Sequence, residues 1–167
     1  MAREMTPVDW AKRPIEKYAD FTGRASRPEY WWYTLALVVT YLVISIVENI
    51  VGLNGMAGSY GLLSLLLMLA TLVPSIAVGI RRLHDTNRSG WWLLIALIPY
   101  GLMVLAGIFA MGGAGAIGLL AMMGLISVVA LIGAVVLLVF MVLPGTPGDN
   151  RYGPPPTASG GTAVAAE

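Results

Sequence analysis

The sequence predicts an all-α, polytopic membrane protein with four transmembrane helices and both termini cytoplasmic. Three observations predict it. First, 57% of the 167 residues are apolar and only 11% are charged, whereas a soluble domain carries about 25% charged residues. Second, Glu48 is the only charged residue between Tyr30 and Ile80, and there is none between Ser89 and Gly148. Third, all ten lysines and arginines lie outside these two stretches, on one side of a four-span arrangement. The same arithmetic excludes a soluble globule, which needs a charged surface, and a disordered chain, which is poor in apolar residues. With no cysteine, disulfides, thiolate metal sites and cysteine nucleophiles are excluded. A net charge of +1 implies no polyelectrolyte partner, so nucleic acid is not expected.

The N-terminal segment, residues 1–29, reads as cytoplasmic. Within it, Pro14 to Phe21 is expected to form a short interfacial helix, with Pro14 in its first turn and Gly23 at its C′ position. Ile15, Tyr18 and Phe21 would face lipid, while Lys12, Arg13 and Lys17 meet headgroups. Next, Ser26-Arg27-Pro28-Glu29 reads as a capping box. The Ser26 hydroxyl would accept from the Glu29 amide and Glu29 would reach back.

A four-helix membrane domain is expected over 30–144. Each crossing needs about 20 mainly apolar residues, so each uncharged region holds two. Gly52 to Ser59 is a turn signal that separates a first span at 31–51 from a second at 60–80. Gly112-Gly113-Ala114-Gly115 separates a third span at 91–111 from a fourth within 116–143. Pro74 and Pro99 each remove a helical hydrogen bond, so kinks are expected at both. Tyr30 to Tyr33 and Trp91-Trp92 belong at one headgroup level. Pro144-Gly145 ends the fourth span. The cytoplasmic tail, 145–167, is expected to be disordered after 153.

Orientation follows from the cations. Arg3, Lys12, Arg13, Lys17, Arg24 and Arg27 precede span one, Arg81, Arg82 and Arg88 join spans two and three, and Arg151 is in the tail. The positive-inside rule then puts both termini in the cytoplasm. No cleaved signal peptide is expected, because the first 29 residues hold no sustained apolar core.

Three motif stretches stand out. They are Phe21-Thr22-Gly23-Arg24-Ala25-Ser26-Arg27-Pro28-Glu29-Tyr30-Trp31, Arg81-Arg82-Leu83-His84-Asp85-Thr86-Asn87-Arg88-Ser89-Gly90-Trp91-Trp92, and Gly148-Asp149-Asn150-Arg151-Tyr152-Gly153. In order and spacing the chain resembles the bacterial inner-membrane family known as domain of unknown function 805, over about Phe21 to Pro156. Pro28 departs from the family's more usual polar or basic residue. The resemblance implies a small multi-pass protein of the bacterial inner membrane and no established activity.

Two polar sets are candidates for function. Arg24, Arg27, Arg81, Arg82, His84, Asp85, Arg88, Asn150 and Arg151 would form a cytoplasmic surface for phosphate headgroups or a partner. Alternatively, the arginines anchor helices, Asp85 pairs with Arg81 or Arg82 one turn away, and His84 satisfies a carbonyl. His84 with Asp85 as a proton-transfer pair would need a nucleophile or metal that the sequence does not supply. Glu48 and Asn49 are the second set. Glu48 lies about 26 Å past Trp31 along a helix, where it can snorkel to water or cap a helix end; a proton or cation role is the alternative. One histidine without cysteine makes a zinc site improbable, and no cofactor is implied.

The favoured function is a membrane interaction or scaffold protein that contacts the bilayer and its anionic phospholipid headgroups. A membrane-protein partner or a second copy of the chain would complete its interactions. Transport of a small solute or ion is the alternative, and an enzyme acting on a lipid-linked phosphate a further one. The sequence holds no complete catalytic set, so no enzyme activity is expected.

Overall fold

The computed structural model describes residues 5–53, 61–111 and 115–156. All of its regular elements are helical. They run in the order α1 (Pro7–Glu16), α2 (Arg27–Val51), α3 (Leu62–Asp85), a 3-10 helix (Gly90–Ala96), α4 (Ile98–Met111) and α5 (Ala116–Val142). Four stretches are long and apolar enough to cross a bilayer: Arg27–Val51, Leu62–Asp85, Gly90–Ile108 and Ile117–Val142. Most of the turn expected at Gly52 to Ser59, the Gly112-Gly113-Ala114 break and the tail from 157 lie outside the described residues.

The short N-terminal helix sits earlier than expected. Thr6 Oγ1 accepts from the Asp9 amide at 3.2 Å, and Asp9 Oδ2 accepts from the Thr6 amide at 2.9 Å. This reciprocal capping box, with Pro7 at the first helical position, starts α1 seven residues before Pro14. Pro14 therefore lies inside the helix, and the chain leaves it at Lys17. Gly23, at φ +70°, belongs instead to the loop before α2. In that loop Asp20 Oδ1 accepts from Thr22 Oγ1 at 2.6 Å and from the Thr22 amide at 3.0 Å. These donors hold the Asp20 carboxyl below its usual range.

Helix α2 has half of the expected capping box. Ser26 accepts from the Glu29 amide at 3.3 Å, but the Glu29 side chain goes to Arg81 of α3 instead of returning to Ser26. An ion pair with a buried guanidinium is stronger than a hydrogen bond to an amide. At its far end α2 stops at Gly52, whose φ of +75° is the left-handed region that glycine enters freely.

Helix α3 has Gly61 at its N-cap and no side-chain cap of its own. Glu48 of α2 supplies one. Its carboxylate accepts from the Ser64 amide at 2.9 Å and from Ser64 Oγ at 2.5 Å. The carboxylate is 1% exposed and lies where a Cβ on Gly61 would stand. Glu48 thus caps a helix end, as one expectation had it, but does so from inside the α2–α3 hairpin and does not snorkel to water. Asn49 is exposed and donates to the Ser45 carbonyl at 2.9 Å.

Pro74 lies inside α3 and is buried. Having no N–H, it leaves the Ala70 carbonyl without its helical donor, and the Tyr18 hydroxyl donates to that carbonyl at 2.6 Å. One turn away, Tyr33 Oη lies 3.0 Å from Ser75 Oγ. The small apolar core, Ala25, Tyr33 and Val78 with Tyr30 and Leu37 beside it, sits at this face of the hairpin. Pro99 behaves differently from the expectation of a mid-span kink. It is the second residue of α4, directly after the 3-10 helix, a position where the missing amide has no helical partner to lose.

Helices α2 and α3 pack as one hairpin, α4 and α5 as another. Among the described elements α4 touches only α5 and the 3-10 helix. The hairpins are joined through the 3-10 helix, which packs on α3 and α5, and through α5 against α2 and α3. The outward faces are mainly apolar, as lipid-facing surfaces are.

Candidate functional site: a buried arginine–aspartate cluster

The loop before α2, the last turn of α3 and the chain after α5 converge at the polar end of the bundle. Asp85 is the centre. Its Oδ1 accepts from Arg24 Nε at 3.0 Å and lies 2.9 Å from Arg24 Nη2, while Oδ2 accepts from Arg82 Nη1. A carboxylate at the C-terminal end of its own helix is unfavourable against the helix dipole. Two arginines offset that here and leave the cluster with one excess positive charge.

Main-chain carbonyls answer the excess. Arg82 donates through Nε to Met141 at 3.2 Å and through Nη2 to Leu143. It thereby ties α3 to the carbonyl-rich C-terminal end of α5, where cations are favoured. Arg24 donates to the carbonyls of Thr146 at 2.6 Å, Gly148 at 2.7 Å and Gly153 at 3.4 Å. The Thr146 amide donates to the Asp85 carbonyl at 2.8 Å. Gly145 passes so close that a Cβ there would overlap the Asp85 carboxylate.

The tail motif is consumed by the same construction. Asn150 Nδ2 donates to the His84 carbonyl at 2.9 Å and to Thr146 Oγ1 at 2.8 Å, while its Oδ1 accepts from the Tyr152 amide at 2.9 Å. The Tyr152 ring stacks on His84 with centroids 3.7 Å apart and planes within 5°. Gly148 and Gly153 take positive φ, +67° and +115°, which lets the tail fold back and aim its carbonyls at Arg24. Arg151 donates to the Asn87 carbonyl at 3.1 Å and lies over Tyr152.

Arg81 has its own partner. Its Nη1 donates to Glu29 Oε1 at 2.7 Å, and both side chains are buried. Arg13 Nε of α1 approaches Glu29 Oε2 at 3.7 Å, an ion pair without a hydrogen bond. Among the described residues Arg81 Nε and Nη2 and Glu29 Oε2 have no hydrogen-bond partner.

The nine residues expected as one cytoplasmic surface therefore fall into three groups. Arg24, Arg81, Arg82 and Asp85 are interior, Arg81 and Arg82 at 0% exposure, and Arg24 and Arg82 direct their donors to acceptors inside the fold. Arg27 and Arg151 are exposed, and Arg88, His84 and Asn150 are half-buried. Arg27 makes one long contact, 3.5 Å to the Val142 carbonyl, and Arg88 lies over Phe140 at 4.2 Å. His84 and Asp85 point to different partners: the His84 Nδ1–H donates to the Gly23 carbonyl at 3.1 Å. The two do not assemble as a proton-transfer pair. Among the described residues there is no group of three or more His, Asp or Glu suited to a metal ion.

Several members escaped the sequence reading: Glu29 as the Arg81 partner, Gly145, Thr146, and Tyr152 as the His84 stacking partner. Only Tyr152 and Glu29 lay within motif stretches that could have drawn attention to them.

A family described as "Protein of unknown function (DUF805)" matches residues 18–154. The inner membrane protein YhaH of Escherichia coli (strain K12) is 32% identical over 150 residues, 89% of this chain and 97% of its own length. The inner membrane protein YhaI of the same strain is 35% identical over 150 residues, 89% of this chain and 96% of its own length. No solved structure matches the chain.

Proposed function

The chain belongs to the DUF805 family, and from that premise we propose that it is a non-catalytic membrane interaction protein whose buried cluster organises four spans. It is a small bacterial inner-membrane protein. In this reading both termini lie in the cytoplasm, because the basic end of the bundle is the cytoplasmic one. The exposed cations Lys12, Arg27 and Arg151 meet anionic phospholipid headgroups. A membrane-protein partner or a second copy of the chain is bound from the same side.

One observation carries the reading. The polar motif residues spend their hydrogen bonds on one another and on the carbonyls of Met141, Leu143, Thr146 and Gly148, which is the chemistry of a structural tie. Transport and an enzyme activity on a lipid-linked phosphate find less support. Glu48 is engaged by Ser64, and His84 faces Gly23 and Tyr152.

The test is the lipid that purifies with the protein. Wild type should be enriched in anionic phospholipid relative to the extracted membrane, and a Lys12→Gln, Arg27→Gln, Arg151→Gln variant should lose most of that enrichment while still folding. Equal lipid composition in protein and membrane would refute the headgroup role. Reporter fusions at Gly55, Ser89 and Gly113 test the topology. Only Ser89 should report from the cytoplasm, and a cytoplasmic signal from Gly55 would defeat it.

A further inference from the structure

Beside the cluster lies a cavity of about 410 Å³ between α3, the 3-10 helix and Phe21. One side is apolar, lined by Ile76, Ile80 and Leu94, and its other end holds His84 and Ser89. From His84 back to Ile76 is eight residues of helix, about 12 Å at about 1.5 Å per residue. A polar head above a narrow apolar slot is the shape of an amphiphile with one chain inserted.

The histidine decides what the head must carry. The Gly23 carbonyl can only accept, so the Nδ1 it meets at 3.1 Å bears the proton. The other ring nitrogen, Nε2, then presents a lone pair. Among the described residues it has no hydrogen-bond partner, and it is not one of the buried unpartnered atoms, so it is open to a donor from outside the protein. No acidic side chain lines the cavity to hold an ammonium headgroup; Arg88, next to Ser89 in the chain, has its guanidinium over Phe140 and on the Thr86 carbonyl.

We propose that this cavity binds one anionic phospholipid with a hydroxyl-bearing headgroup, of the phosphatidylglycerol class. One acyl chain lies along Ile80 and Ile76. A headgroup hydroxyl donates to His84 Nε2. The inference rests on the membrane reading above in placing His84 at headgroup level. It goes beyond that reading in assigning a discrete site with headgroup preference.

The experiment is native mass spectrometry of the protein released from nanodiscs containing equal amounts of phosphatidylglycerol, phosphatidylethanolamine and phosphatidylcholine with matched chains. Wild type should retain one phosphatidylglycerol in preference to the other two. His84→Asn keeps a donor for Gly23 at the Nδ1 position and lacks Nε2, so its preference should fall about fivefold, the worth of one hydrogen bond. His84→Gln, which keeps a polar atom at the Nε2 position, should retain more of it. Ile76→Trp fills the chain slot on a lipid-facing position and should lower occupancy without touching the histidine, which keeps the test decisive if the His84 variants fail to fold. The Lys12→Gln, Arg27→Gln, Arg151→Gln variant should keep the single retained lipid, so failure of general headgroup enrichment and failure of this site are separate results. Equal retention of all three lipids by wild type, or unchanged retention in both His84→Asn and Ile76→Trp, would overturn the proposal.

Discussion

Replacing Asp85 with asparagine keeps its shape and removes the charge that two buried arginines share. Breaking a buried pair leaves an uncompensated charge and costs about 3–5 kcal/mol. Asp85→Asn should therefore lower the thermal midpoint in detergent sharply and make the chain after Gly145 accessible to protease. Glu48 gives a contrasting result. Glu48→Gln retains an oxygen for the Ser64 donors, whereas Glu48→Ala removes the cap and costs about 1 kcal/mol. The alanine variant should be clearly less stable than the glutamine variant by the same melting measurement; a proton-carrying role would make the two equivalent in loss of function. Asp20 adds a small pH-dependent contribution. Its folded pKa is lowered by Thr22, so the stability it supplies is present above the ordinary carboxylate range and is lost as pH falls through the folded value. The melting difference between wild type and Thr22→Val should shrink as pH falls through that range. At this scale the sequence marks the polar residues and the Arg82–Asp85 pair, but not the partners of Arg24 and Arg81. Arg81 has both Asp85 and Glu29 within the chain's motifs, and only the packing of α2 against α3 decides for Glu29. Gly145 and Thr146 carry no charge to draw attention, yet both touch Asp85.

Tyr18 and Pro74 couple the N-terminal segment to the second span. The hydroxyl of Tyr18 is hydrogen-bonded to the carbonyl that Pro74 leaves without a helical donor. Tyr18→Phe should cost about 1 kcal/mol. In a Pro74→Ala background the Ala70 carbonyl regains a helical donor, so the same substitution should cost less. A double-mutant cycle by chemical unfolding in mixed micelles measures that coupling, and additive effects would contradict it. The four long apolar helices are legible in the sequence because charge is excluded from hydrocarbon, and the stretches between charges have the length a bilayer demands. Short elements are less so. The helix expected to begin at Pro14 begins at Pro7, since the Thr6–Asp9 box is a stronger start than a proline alone. The third span is divided into a 3-10 helix and α4, which hydropathy cannot distinguish from a continuous α-helix.

Across the whole molecule, two hairpins are held together chiefly at one end. There α3 ends, α5 ends, α2 begins and the tail returns, and the side chains of Arg24, Arg82 and Asp85 connect them. The family resemblance read from the three motif stretches holds across residues 18–154, and the cluster gives those stretches a common physical reason. The last motif is specific because Asn150, Tyr152 and two positive-φ glycines are all needed to fold the tail onto α3. The central claim is that this tail is tied to the end of α3 on one side of the membrane. Cysteines placed at Asn87 and Arg151, in a chain that has none of its own, with a short bifunctional maleimide in intact membrane vesicles, test it most directly. The account predicts efficient cross-linking of the double-cysteine chain and marked loss when Asp85→Asn is added; absence of cross-linking, or labelling of the two positions from opposite compartments, would contradict it.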